Sequence, residues 1–144
     1  QTLSMLRLRP FKIDDVFKVQ LDYDLPREGR CGLVEHPNID AFTLEDDDEI
    51  LAVGGAHIMW PGVAEAWVLV SPSGKQHGRL FARYAKRRFE GMLKENHIRR
   101  MQATIHVTDE PAMRFVEWLG FEKEGLMRKY GVEGEDYIRV ARIA

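Results

Sequence analysis

The sequence has very little cysteine, no long apolar run and no excess of positive charge. Cys31 is the only cysteine in 144 residues, which excludes an internal disulfide and a cysteine-based zinc cluster and indicates a reducing, cytoplasmic compartment. No apolar run approaches the ~18 residues of a transmembrane helix, so we expect no membrane partner. The net charge of −2 argues against a nucleic-acid partner.

The chain does contain the ordinary ingredients of a globular fold. With 44% hydrophobic and 31% charged residues, the whole length, 1–144, is predicted to form a single domain. Apolar residues alternate in "LSMLRLRPF" and predict a strand that stops at Pro10. Asp14 and Asp15 are predicted to cap a helix that follows it. The stretch "LPREGRCGLVEHPNI" predicts a loop or a short irregular helix.

A run of strands occupies the middle of the chain. The segments "AFTLE", "ILAVGGAHIM" and "VAEAWVLV" predict a three-stranded meander joined by the turns "DDDE" and "WPG". The third strand is apolar enough to be central in a sheet. Gly54 and Gly55 within the second strand indicate a bulge or a close backbone approach.

The second half of the chain alternates helices and strands. A helical period extends from Gln76 to Asn96, and "RRMQATIHVT" predicts the next strand. Asp109 as cap and Gly120 as stop bound a helix over "DEPAMRFVEWLG", and "FEKEGLMRKY" with "DYIRVARI" predicts a final hairpin. The element order predicts an α+β fold with α/β/α layers, in which helices cover both faces of a mixed, mostly antiparallel sheet of about seven strands.

The stretch "VLVSPSGKQHGRL" joins the apolar third strand of the meander to the long helix. A helix N-terminus carries unpaired N–H donors, and glycine in the preceding loop lets them approach phosphate oxygens. Gly74 and Gly78 lack Cβ atoms, and Lys75, His77 and Arg79 add side-chain donors. The loop is neither a Walker A motif nor a dinucleotide fingerprint. It is therefore a candidate phosphate cradle, with an ordinary Gly-containing connection as the alternative.

This element order, with this loop at this junction, resembles the GNAT (Gcn5-related N-acetyltransferase) superfamily. Those enzymes bind acetyl-CoA with a Gln/Arg-x-x-Gly-x-Gly/Ala loop, and Lys75, Gly78 and Leu80 occupy the matching positions here. A second signature, a helix that closes with Gly-Phe after an upstream Ala, matches "AMRFVEWLGF" from Ala112 to Phe121. The resemblance covers nearly the whole chain and is closest to degenerate phage- or prophage-type members.

The resemblance implies acetyl-CoA as co-substrate and no metal. The cofactor-binding residues predicted from it are Leu69, Val70, Lys75, Gln76, His77, Gly78, Arg79, Leu80 and Asp109. A backbone N–H near Leu69 or Val70 is expected to polarise the thioester carbonyl. The chain departs from the family pattern at two places. Asp109 stands where the family often has Asn, and Val116 stands where it often has the Tyr that protonates the CoA thiolate.

Several side chains are candidates for proton transfer. Glu65, at the start of the apolar strand "VAEAWVLV", is the predicted general base, with a solvated edge carboxylate as the alternative. His106 and His57 lie in predicted strands and could relay a proton near neutral pH, although a lone strand histidine is more often structural. Tyr130 could replace the missing tyrosine acid at Val116.

Two charged runs have plainer interpretations. The residues Arg79, Arg83, Lys86, Arg87 and Arg88 predict a solvated basic helix face, with contact to the CoA 3′-phosphate by Arg79 or Arg83 as the alternative. The run "EDDDE" at 45–49 predicts a charged hairpin turn, and it lacks the glycine and spacing of a calcium loop.

The function predicted from these features is acetyl transfer from acetyl-CoA to a primary amine on a small molecule or a protein. The alternative is a non-catalytic GNAT-like module that acts in a phage or prophage assembly. The expected partners are an amine acceptor, with its pocket built by Leu25–Ile39, and a homodimer mate or a phage-type protein. The strand segments 66–70 and 102–107 are predicted to be parallel neighbours that splay apart at their carboxyl ends.

Overall fold

The computed structural model describes residues 5–144 and contains seven strands and five helices within that range. The strands are β1 (Leu6–Pro10), β2 (Ile39–Asp46), β3 (Glu49–Trp60), β4 (Val63–Val70), β5 (Arg100–His106), β6 (Glu122–Met127) and β7 (Tyr137–Ile143). The helices are α1 (Asp15–Lys18), α2 (Arg27–Val34), α3 (Pro72–Lys75), α4 (Gly78–Glu95) and α5 (Glu110–Trp118). The predicted first strand began at Leu3, and Leu3 and Ser4 lie outside the described residues. None of the helices described is long and apolar enough to cross a membrane.

The strands form one mixed sheet in the order β1-β2-β3-β4-β5-β7-β6. The pairs β1–β2, β2–β3, β5–β7 and β6–β7 are antiparallel, whereas β4 and β5 are parallel. This confirms the predicted mixed, mostly antiparallel sheet of about seven strands. Contacts divide the chain into two compact units, the first ending at His57 and resuming over Trp67–Gly91, and the second comprising Ile58–Ala66 and Met92–Ala144.

The first unit has a core built from short apolar side chains. Its buried members are Val16, Val19, Val34, Val53 and Leu69, and partly buried side chains such as Trp67 pack around them. In α4, Phe81, Ala85 and Phe89 are buried at the predicted i, i+4 spacing. The predicted "loop or short irregular helix" after Pro26 is the helix α2.

Close backbone approach explains the two strand glycines. A Cβ on Gly54 would lie 2.6 Å from the Phe42 ring, and a Cβ on Gly55 would lie 2.8 Å from Ala41 Cβ. The β2–β3 register shifts between Leu44 and Glu45, opposite the extra β3 residue Leu51, and not at the two glycines. The prediction of a close approach is confirmed, since Gly54 leaves room for the Phe42 ring and Gly55 leaves room for Ala41 and Asp40 O.

A buried ion-pair network in the first unit joins β1, α1 and β2. Arg9 donates two hydrogen bonds of 2.8 Å to Asp15, which also accepts 2.7 Å from Thr43 Oγ1. Glu45 accepts a hydrogen bond of 2.7 Å from Arg9 and one of 2.6 Å from Arg7. The prediction that Glu45 belongs to a charged hairpin turn is wrong, because it is buried in β2 and paired with arginine. The predicted side-chain cap at Asp14 is also not formed, although Asp14 does occupy the N-cap position of α1.

We predict that Arg9→Met lowers the free energy of unfolding by about 3–5 kcal/mol, because it leaves two buried carboxylates short of a partner. Urea unfolding at neutral pH measures the loss. Arg7→Met is the matched control on Glu45: the Arg7 side chain is 67% exposed, so its removal should cost at most ~1 kcal/mol. Equal losses in the two variants would contradict the burial argument.

The same network makes the free energy of unfolding depend on pH in the acidic range. Burial alone would raise the pKa of Asp15, but hydrogen bonds from Arg9, Thr43 and the Lys12 amide outweigh it and hold the pKa below 3.8. Hydrogen bonds from Arg9 hold the pKa of Glu45 below 4.5. Groups with lowered folded pKa values stabilise the fold fully above those ordinary values and lose that contribution as pH falls through the lowered ones. Arg9→Met should therefore flatten the acid limb of stability below about pH 4.5.

The second unit is built on the antiparallel β5–β7–β6 ladder and α5. Asp109 caps α5 as predicted, since its carboxylate accepts 3.1 Å from the Ala112 amide. Gly120 ends the helix with φ +94°, a left-handed conformation that glycine adopts without strain. Val116, Leu119 and Phe121 are buried beneath it.

Candidate active site

The predicted phosphate loop begins with a short helix that the sequence did not reveal. Ser71 caps α3: its hydroxyl accepts 2.9 Å from the Gly74 amide, and its own N–H donates 2.8 Å to Leu51 O. Pro72 occupies the first turn, as proline does at helix starts. The long helix α4 then begins at Gly78, within the predicted cradle.

The two glycines of this loop have different roles. Gly74 is buried, and a Cβ there would collide with Leu51 O, so its lack of a side chain serves packing against β3. The prediction that Gly74 makes room for phosphate is therefore replaced by a structural explanation. Gly78 is exposed and has no atom within 4 Å of its Cβ position. Only Gly78 leaves open space at the start of α4.

The remaining loop residues differ in how free they are to meet a ligand. Lys75 Nζ lies 2.7 Å from Asp22 Oδ2, and this pairing lowers the pKa of Asp22. To contact a phosphate, Lys75 would have to leave Asp22. Gln76 and Arg79 are exposed, whereas His77 and Leu80 are half-buried. Leu69 is buried in the core of the first unit, so only its backbone is available to a ligand.

In the second unit, strand alternation brings polar side chains to one face of the sheet. Met101, Ala103 and Ile105 are buried, while the residues between them in β5 are only half-buried. The half-buried set is Arg100, Gln102, Thr104 and His106. Because side chains of a strand alternate between faces, this set shares one side of the sheet. The face is a partly solvated polar surface carried on rigid strands.

Glu65 lies at the end of the parallel ladder between β4 and β5. The registered pairs begin at Val63–Arg100 and end at Glu65–Gln102. The two strands are parallel neighbours, as predicted, but the registered pairs lie before the predicted segment 66–70. The separation of the strands beyond these pairs stays a prediction. Glu65 is not the solvated edge carboxylate of the alternative interpretation: its side chain is 21% exposed and accepts hydrogen bonds from Gln102 and Arg139.

The other predicted proton carriers lie at the far end of the same face. His106 and Gln102 are separated by roughly 13 Å at about 3.3 Å per strand residue. His106 Nδ1 accepts 3.1 Å from the Thr108 amide, and its ring lies 5.2 Å from that of Tyr137. Tyr130 is 53% exposed and its ring is 5.4 Å from Tyr137. The structure therefore places His106 and Tyr130 each against Tyr137, and His106 lies further along β5 than the Gln102 side chain that contacts Glu65.

Tyr137 is a candidate that the sequence analysis missed. It is registered opposite His106 and contacts both predicted aromatic residues. Burial raises the pKa of Tyr137 above 10.0, and Glu135, Tyr130 and Asp109 raise it further. The phenol therefore stays protonated at neutral pH and can donate a proton or a hydrogen bond. The sequence could have suggested Tyr137, because it lies at the start of the predicted final strand.

Several sequence candidates lie elsewhere. Val116, at the position where the resemblance expects tyrosine, is a buried core residue. His57 belongs to the first unit, where its ring stacks on His36 with centroids 3.6 Å apart. Arg88 in the basic face is not simply solvated, since it lies 3.0 Å from Asp40 and over the Phe42 ring. No group of three or more metal-ligating side chains occurs among residues 5–144.

Solved structures of N-acetyltransferases share this fold. They include a spermidine N-acetyltransferase SpeG chimera from Vibrio cholerae and hSSAT (15% identity, TM-score 0.73, 96% of this chain and 95% of that one). The Escherichia coli ribosomal-protein-S18-alanine N-acetyltransferase is similar, with 14% identity, a TM-score of 0.72 and coverage of 96% of this chain and 94% of that one. The Vibrio fischeri ribosomal-protein-S5-alanine acetyltransferase is also similar, with 17% identity, a TM-score of 0.74 and coverage of 99% of this chain and 97% of that one. No curated protein sequence matches the chain.

The chain belongs to the acetyltransferase (GNAT) family, whose model matches residues 6–121. The predicted superfamily is thereby confirmed. The predicted closeness to phage-type members stays a prediction.

Proposed function

We propose that this protein transfers an acetyl group from acetyl-CoA to a primary amine. The observation that carries the proposal is the position of Glu65, a half-buried carboxylate that ends the β4–β5 ladder in a chain of this family. A carboxylate held on a rigid strand is a better base than one on a mobile loop, because its geometry is fixed before substrate arrives.

The start of α4 supports binding of the cofactor. The amides of Gly78, Arg79 and Leu80 are the first N–H groups of an 18-residue helix and have no acceptor within that helix. The amides of Gln76 and His77, which the sequence also suggested, already donate to Ser73 O and Gly74 O. Open space at Gly78 fits the approach of a pyrophosphate. Exposed Arg79 would add a cationic side chain, and Lys75 would do so after leaving Asp22. Asp109 is engaged in capping α5, so its role would be to shape that helix end rather than to meet phosphate.

The chemistry requires a neutral amine. A lysine-like amine has a pKa of ~10.4 and is almost entirely protonated at neutral pH. Acetyl-CoA supplies an activated thioester. The ammonium form first loses one proton to solvent. Glu65 would take the second proton, directly or through water, as the neutral nitrogen attacks the thioester, and such a base contributes about 10²–10⁴-fold. Backbone N–H groups near Leu69 and Val70, further along the same strand, would stabilise the developing oxyanion.

The acceptor is proposed only as a class. The similar structures are named for spermidine and for the alanine of ribosomal proteins, and both names point to amines. The segment Leu25–Ile39, which includes α2, is proposed to contribute to the acceptor pocket.

We predict that Tyr130→Phe lowers kcat by less than about 10-fold. The Tyr130 side chain is 53% exposed, so water can protonate the leaving thiolate in its place. Release of CoA thiol under steady-state conditions measures the effect. A loss of about 100-fold or more would contradict this expectation and assign Tyr130 as the essential acid.

Calorimetric titration with acetyl-CoA tests the cofactor half of the proposal. We expect saturable heat at or below millimolar acetyl-CoA, with desulfo-CoA as a competitor for the same site. The absence of any binding heat from a folded sample at millimolar concentration would contradict the proposed function.

A further inference from the structure

A row of hydrogen-bonded side chains crosses the polar face of the second unit and ends on Glu65. It starts at β6, where Glu124 accepts hydrogen bonds of 2.6 Å and 2.9 Å from the two terminal nitrogens of Arg100. This fork-to-fork pair fixes the plane of the Arg100 guanidinium, as bidentate arginine–carboxylate pairs do. It also lowers the pKa of Glu124 and raises that of Arg100, so both stay charged.

Arg100 in turn decides which way the Gln102 amide points. Arg100 Nε lies 3.0 Å from Gln102 Oε1. A guanidinium can only donate, so the Gln102 atom that faces it must be the carbonyl oxygen. The amide nitrogen of Gln102 then faces the opposite way and donates 2.8 Å to Glu65 Oε1.

The two oxygens of Glu65 are consequently unequal. Oε1 accepts 2.8 Å from Gln102 and 3.1 Å from Arg139. Oε2 accepts 3.0 Å from Arg139 and has no second donor among residues 5–144. A carboxylate oxygen can accept about two hydrogen bonds. Both acceptor sites of Oε1 are therefore occupied, whereas Oε2 keeps one acceptor site free.

We propose that the row Glu124–Arg100–Gln102, together with Arg139, orients Glu65 so that Oε2 is the atom that takes the proton of the acceptor amine. The inference rests on the proposed acetyl transfer. In that step the amine nitrogen bonds to the thioester carbon and its proton passes to Oε2. The carbon–sulfur bond breaks, and sulfur leaves with the electron pair as CoA thiolate, which water protonates. Arg100, Gln102 and Arg139 are positioning residues in this account.

Glu124→Gln tests the row at a residue remote from the chemistry. Glutamine keeps the shape of glutamate but cannot form the bidentate ion pair with Arg100. We expect the side-chain amide NMR signals of Gln102 to move and kcat to fall about 10-fold, with the KM for acetyl-CoA unchanged, because small misplacements of reacting groups cost rate. Glu122→Gln, an exposed carboxylate on the same strand, is the matched control and should change neither quantity.

Arg139→Lys provides a second variant, since lysine can still donate to one oxygen of Glu65. We expect it to retain more activity than Arg139→Met, with the same acetyl-CoA affinity in both.

The probes are acetyl-CoA with spermidine, an alanine-initiated peptide and n-butylamine, and rates are taken with the best acceptor.

The outcomes separate this inference from the function on which it rests. Unmoved Gln102 signals in Glu124→Gln, or a kcat equal to that of Glu122→Gln, would overturn the positioning row while leaving acetyl transfer intact. A wild type that acetylates none of the three amines would overturn the proposed function, and the role of Oε2 with it.

Discussion

Gly78→Glu is expected to abolish acetyl-CoA binding, with Kd raised at least about a hundredfold. A carboxylate about 4 Å from a phosphate oxygen costs roughly 4 kcal/mol near a protein surface, which is about a thousandfold in Kd before salt screening. The fold should survive, because no atom lies within 4 Å of the Gly78 Cβ position and the residue is exposed. Calorimetric titration with acetyl-CoA measures the loss.

Two control variants make that result specific. Gly78→Ala adds only a methyl group in open space and should weaken binding far less than the charged substitution. Gly125→Glu adds the same side chain at another exposed glycine with nothing within 4 Å of its Cβ position, outside the proposed acceptor pocket, and should leave acetyl-CoA affinity unchanged. Wild-type affinity in Gly78→Glu would contradict the assignment of the cofactor to the start of α4.

Glu65→Gln is expected to lower kcat by about 10²–10⁴-fold while leaving the affinity for acetyl-CoA nearly unchanged. The amide is close in shape to the carboxylate but cannot accept a proton at neutral pH. The predicted cofactor contacts begin further along the chain, at Leu69, so removal of the base should not touch them. Single-turnover transfer from acetyl-CoA to the best amine measures the chemical step.

Glu122→Gln is again the matched control, since it removes an exposed carboxylate from β6 and should behave like wild type. Loss of acetyl-CoA binding in Glu65→Gln would indicate a structural role for the Glu65–Arg139 ion pair rather than a chemical one. A kcat within a factor of about three of wild type would remove Glu65 as the base.

Local patterns predicted the strands and the long helix because each is bounded by strong signals. The strand "VAEAWVLV" coincides with β4, since Gly62 precedes it and Ser71-Pro72 follows it. The same dipeptide also starts α3, and its use as cap and first-turn proline was hidden by its second use as a strand stop. One residue pair can end one element and begin the next.

The contacts of the candidate base could not be predicted in the same way. Glu65 and Arg139 are 74 residues apart, and no local period marks two residues as neighbours across a sheet. Glu45 was misjudged for a related reason: its acidic neighbours suggested solvent, but the partner that buries it, Arg9, lies on a different strand. Gln102 could have been found, because strand alternation places it on the polar face of β5.

The most direct test of the account is mass spectrometry of amines incubated with the protein and isotopically labelled acetyl-CoA. We expect a labelled acetyl group on the nitrogen of at least one amine in the panel, formed by wild type and by Glu122→Gln but reduced by about 10²-fold or more in Glu65→Gln. A protein that binds acetyl-CoA yet labels no amine, with Glu65→Gln indistinguishable from wild type, would contradict acetyl transfer and favour a non-catalytic binding module.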